Sequence, residues 1–110
     1  MIGSFTYEDV PPSLINALQK YLEQTSSQSS LEGVFWLSIP SCYLSPMQKE
    51  HEKECGPYVL PLLLEENRLT IEMLIRSQST LHCTCLGPAS SVIRTYALTW
   101  LDEIIPTLGV

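Results

Sequence analysis

Two short spacings bring soft metal ligands together in this chain: His51-x3-Cys55 and Cys83-x-Cys85. Residues four apart share one face of a helix, and residues two apart share one face of a strand. Each pair therefore aims two donors in one direction. One imidazole with three thiolates is a donor set suited to tetrahedral zinc, and iron is the other metal such a set takes. Cys42 and His82 stand as spare ligands. A plainer reading competes with this one. Free cysteines pack as small apolar groups and are often buried, so Cys83 and Cys85 can be core residues while His51 lies on a solvated helix. C-x-C on a strand also splays its sulfurs, and established zinc modules more often use C-x2-C pairs.

Other chemistries find less support. Cys55 is placed at a helix C-terminus, where the dipole disfavours a thiolate. Cys42 falls shortly before a helix N-terminus, with no base fixed beside it. His51 lies among Glu50, Glu52 and Glu54, which allows a carboxylate–imidazole pair but reads more simply as a solvated charged face. Glycine-rich phosphate loops, G-x-S-x-G and H-E-x-x-H are all absent from the sequence. The expectation is a protein without catalytic residues.

The elements that must position these residues are well punctuated. Residues 1–9 read as a loose leader. Pro11 and Pro12 suit a helix's first turn, Asp9 is placed to cap it, and Leu14, Ile15, Leu18 and Leu22 recur at helical spacing. A first helix is expected from Pro11 to Gln24, followed by a flexible polar connector over 25–32. Val34 to Pro40 reads as a buried strand. Ser45, Pro46 and Gln48 form a capping box opening a short helix, which Gly56-Pro57 stops. Tyr58–Leu64 reads as a strand that Pro61 demotes to an edge or a bulge.

A two-residue turn at Glu66-Asn67 pairs Leu64 with Leu69, Leu62 with Ile71 and Leu60 with Met73, giving one apolar face. The partner strand then runs on to Arg76. Thr80 to Leu86 is expected as a further strand. A three-residue turn before it, favoured because it puts Leu81 inside and lets Thr84 meet Glu72, sets Cys83 opposite Met73 and Cys85 opposite Ile71; a two-residue turn would move both thiols to the other face. A last helix runs from Ala89 to Ile105, stopped by Pro106, with Ile93, Ala97, Trp100, Leu101 and Ile104 inward and Trp100 the largest core contributor. The order α-β-(short α)-β-β-β-α predicts a single α+β domain: an antiparallel sheet of about four strands with two long helices packed on one face. The other face, with Leu63, Leu74 and Phe35 or Trp36, is less polar than a solvated face should be.

The 110 residues carry 12 acidic and 6 basic side chains, for a net charge of -6. Such a surface repels phosphate backbones and anionic membranes, so neither nucleic acid nor membrane is expected as a partner. Met1-Ile2-Gly3-Ser4 lacks the basic region of a secretory signal, so a cytoplasmic location and reduced thiols are expected. In size, acidity and helix–sheet organisation the chain resembles the small acidic secretion chaperones, though no residue motif carries the resemblance. The leading expectation is a non-enzymatic protein-interaction domain, a small acidic chaperone or adaptor that acts as a dimer and binds another protein or a second copy of itself. The alternative is a metal-binding domain, with zinc or iron as its cofactor, built on His51, Cys55, Cys83 and Cys85.

Overall fold

The computed structural model describes residues 3–25, 31–79 and 83–108. The elements run β1 (Ser4–Tyr7), α1 (Pro12–Gln24), β2 (Val34–Ser38), α2 (Pro46–Cys55), β3 (Tyr58–Leu64), β4 (Leu69–Glu72), β5 (Leu74–Ser77), β6 (Gly87–Pro88) and α3 (Ser91–Ile104), closed by a 3₁₀ turn over Ile105–Leu108. The fold is α+β. Its antiparallel sheet has six strands, two more than the expected four, in the order β1-β4-β3-β5-β6, with β2 on the free edge of β3. None of the described helices is long and apolar enough to cross a membrane.

The N-terminal segment is not a loose leader. Residues 4–7 pair with β4, Phe5 opposite Ile71 and Tyr7 opposite Leu69. Asp9 does not cap α1 either. It turns the chain with φ 54°, and Pro11 takes the N-cap position with no side-chain cap. Ile15, Leu18 and Leu22 form the buried stripe of α1. The connector expected over 25–32 lies largely in residues 26–30, outside the described residues. Gly33 then adopts φ 77°, and its carbonyl accepts from the Leu64 amide at 2.8 Å. A Cβ there would sit 3.0 Å from the Leu64 carbonyl oxygen, so β2 can enter the sheet only on a glycine.

The β3–β4 hairpin has the expected register. Leu64 faces Leu69, Leu62 faces Ile71, and the Glu65 amide bonds the Arg68 carbonyl at 2.9 Å. The expected pairing of Leu60 with Met73 does not form, because the strand breaks at Met73. Its amide donates to Gly3 and its carbonyl accepts from Ala89, both at 2.9 Å. Beyond the break Val59 faces Arg76 and Tyr58 faces Ser77. This shift is even, so Ile71, Met73 and Ile75 all stay on the buried face.

The break also explains Pro61. β3 is central, flanked by β2 on one side and by β4 and β5 on the other, so Pro61 is not on an edge strand. Tyr58 and Leu64 bond toward β2, and alternation then turns Pro61 toward β4 and β5. Its missing N–H falls in the gap between them, where no ladder bond is lost.

The expected strand from Thr80 to Leu86 is a second correction. Residues 80–82 lie outside the described residues, and Cys83 to Leu86 form a turn closed by the Leu86 amide on the Cys83 carbonyl at 3.1 Å. Neither Cys83 nor Cys85 pairs with β4 or β5; among the described residues between β5 and α3, only Gly87–Pro88 joins the sheet, beside Leu74 and Ile75.

One apolar cluster unites α1, α3 and the inner sheet face. Tyr58 and Phe35 are its largest fully buried side chains, each contributing about 2–3 kcal/mol. Trp100, expected as the main contributor, is only half-buried. The stripe of α3 runs through Ile93, Ala97, Leu101 and Ile104. Trp100 stands one residue round from Leu101, a turn of about 100° on a helix, and lines a groove with Tyr43 and Tyr96.

Candidate metal centre

The site forms where the C-terminal half of α2 meets the Cys83–Leu86 turn. The capping box of α2 is complete: Ser45 Oγ accepts from the Gln48 amide at 3.2 Å, and Gln48 Oε1 accepts from the Ser45 amide at 2.9 Å. Gln48 has a second task. Its Nε2 donates to the Cys85 carbonyl at 3.0 Å, tying the turn to the helix. The last turn of α2 is fixed by Ser77, whose hydroxyl donates to the Cys55 carbonyl. Helical spacing then presents His51 and Cys55 toward the turn.

The structure brings the four residues together. One ligand atom from each of His51, Cys55, Cys83 and Cys85 lies within 4.8 Å of all the others. The Cys83 and Cys85 sulfurs lie 2.9 Å apart, and His51 Nδ1 lies 3.3 Å from Cys83 Sγ. A tetrahedral zinc holds S/S and S/N ligand pairs about 3.5–3.8 Å apart, within the span these atoms cover. The group can hold a metal ion. The turn matters here: a strand would splay the two C-x-C sulfurs, whereas the turn folds both toward α2.

Electrostatics separate the thiols. Cys83 Sγ faces the Cys85 thiol, the Cys85 amide at 3.5 Å and His51. Hydrogen bonds from Cys85, thiol first and amide second, lower its pKa to about 6, with His51 adding to the effect. Cys55 moves the other way, up to about 12, through its bond to Cys83 and then its burial. The bond to Cys83 raises the His51 pKa too, and Glu50 and Glu54 reinforce it against partial desolvation. Cys83 is thus a thiolate at neutral pH, held among donors, while Cys55 keeps its proton.

Two supporting residues escape a reading by ligand type. The Tyr58 hydroxyl lies 2.9 Å from the Gln48 carbonyl and 3.3 Å from Cys85 Sγ, and burial foremost raises its pKa. A tyrosine opening an apolar strand is the one available signal, since a buried hydroxyl must find a partner. Gln48 is visible as a cap but not as a link to Cys85. The spare ligands stay apart: Cys42 is exposed and outside the cluster, and His82 lies outside the described residues. The carboxylates flanking His51 make no hydrogen bond to it; Glu52 bonds Ser41 Oγ at 2.6 Å instead. No family model, curated protein or solved structure matches the chain.

Proposed function

We propose that this domain binds zinc through His51, Cys55, Cys83 and Cys85, and that the metal fastens α2 to the Cys83–Leu86 turn. The observation that carries the reading is the convergence of one imidazole and three sulfurs within 4.8 Å, drawn from two elements far apart in sequence. Four protein ligands fill a tetrahedron and leave no open position for substrate, which is the pattern of a structural site. The surroundings support it. Tyr58 and the Cys85 amide direct hydrogens at sulfurs, as outer-shell partners of metal thiolates do. Native mass spectrometry of the reduced protein is expected to show one zinc per chain, lost in Cys83→Ser and kept in Cys42→Ser. A wild-type mass without metal in excess zinc refutes the proposal.

A second reading, a protein-interaction domain acting as a dimer, rests on β2. Its odd-numbered residues bond toward β3, so the backbone of Trp36 points outward and meets no partner among the described residues. Residues 33–48 carry no charge to guard that edge. Trp36, Leu63 and Leu74 are half-buried and face away from the main core. A second copy can add its own β2 antiparallel there. Sedimentation velocity is expected to show a dimer that Trp36→Lys dissociates; a monomer at all concentrations sinks this reading.

A further inference from the structure

The cluster is asymmetric in access. Cys83 is half-buried and lines an open groove of about 920 Å³ whose walls include Trp36, Leu74, Arg76, Thr84 and Leu86. Cys85 is 3% exposed and Cys55 5% exposed. A small reagent entering by the groove therefore meets Cys83. The Cys85 sulfur lies 2.9 Å from that of Cys83 and on the same turn.

We infer that Cys83 is a hydroperoxide-reactive thiol with Cys85 as its resolving partner, so that oxidation joins the two and opens the metal clasp. The inference rests on the zinc reading for its consequence and on the sulfur geometry for its chemistry. The Cys83 sulfur attacks one oxygen of hydrogen peroxide or a small alkyl hydroperoxide. The O–O bond breaks, and hydroxide or alkoxide leaves, taking a proton as water or alcohol. Cys83 is now a sulfenic acid, oxidised by two electrons. The Cys85 sulfur attacks it, the S–S bond forms, the S–O bond breaks, and the oxygen departs as water. Two thiols and one peroxide thus give one disulfide and two waters, or one water and one alcohol. Zinc loses two of its four ligands, and His51 with Cys55 alone do not retain it. A dithiol reductant restores the site.

The test treats the zinc-loaded full chain with one equivalent of hydrogen peroxide, follows zinc with a chromophoric chelator, and maps tryptic peptides. Cys83 and Cys85 share the peptide 77–94, while Cys55 lies on 54–68. The expected result is one zinc released per chain together with a loss of two hydrogens within 77–94. In metal-free protein, Cys85→Ser is expected to leave a sulfenic acid on Cys83 that dimedone captures, and Cys83→Ser to give no adduct at Cys85. A cross-link between 54–68 and 77–94, or zinc retained with both thiols intact, overturns the inference and leaves the clasp standing. A chain that binds no zinc yet forms the Cys83–Cys85 disulfide overturns the zinc reading and supports the thiol assignment.

Discussion

Replacing Tyr58 by Phe tests the centre without emptying the core. The ring is 2% exposed and its packing survives, so only the hydroxyl is lost, with its contacts to the Gln48 carbonyl and Cys85 Sγ. That hydroxyl has one proton and serves one acceptor at a time. In metal-free protein the loss is one net hydrogen bond, about 1 kcal/mol, which for a chain of this size lowers Tm by about 4 °C. In zinc-loaded protein Cys85 is a thiolate, and a bond to a charged acceptor is worth about twice a neutral one. Removing such an outer-shell partner costs about 10-fold or more in metal affinity. The zinc Kd should therefore rise about tenfold, equal to about 1.4 kcal/mol. The zinc-loaded Tm should fall by roughly 6 °C beyond the metal-free loss. Competition titration against a chromophoric chelator and melts with and without zinc read both quantities. Equal Tm losses in the two states, with zinc affinity unchanged, would show that the hydroxyl serves Gln48 alone and refute the role given to Cys85.

Zinc at about a thousandfold excess over Kd should stabilise the fold by roughly 4 kcal/mol, raising Tm by about 15 °C, and a chelator should reverse this in a melt. Iodoacetamide should modify Cys83 of the metal-free protein with a midpoint near pH 6, while Cys55, raised to about 12, stays unmodified at neutral pH; peptide mapping across pH checks this. Zinc affinity should fall as pH is lowered, because protons compete with the metal for His51 and the thiolates, and equilibrium dialysis at stepped pH reads it. Gln48→Ala removes half of the capping box and the bond to the Cys85 carbonyl. It should cost about 1–2 kcal/mol in denaturant unfolding and weaken zinc binding.

The parts of the fold legible in the sequence were those governed by local chemistry. Ser45-Pro46-x-Gln48 specifies its cap within four residues, and the Leu64/Leu69 hairpin follows from alternation and a two-residue turn. Nonlocal choices were not legible. Met73 looks like one more inward residue of a long strand, and only its bonds to Gly3 and Ala89 break that strand. The same applies to residues 4–7, which have a strand only because β4 offers them an edge. The candidate metal centre was half legible. Ligand types and spacing selected the four residues, but a strand was assumed for Cys83 and Cys85, and in a strand their sulfurs diverge. The turn that converges them depends on Gln48, held from a helix 37 positions away in sequence.

The double flanking of β3 sets an order of opening. An amide exchanges with solvent only when its hydrogen bond breaks, and a strand bonded on both sides opens last. The amides of Leu60, Leu62 and Leu64 face β2, that of Leu63 faces β4 and that of Val59 faces β5. Pro61 contributes none. Deuterium should therefore enter β1, β6 and the outward-facing amides of β2 first, each of these strands being bonded along one side, and β3 last. Tyr58, at the head of that slowest strand, carries the hydroxyl beside Cys85. The centre thus has one wall in the most persistent part of the fold and the other in a turn, so local opening can expose the cysteine pair while the sheet stays closed.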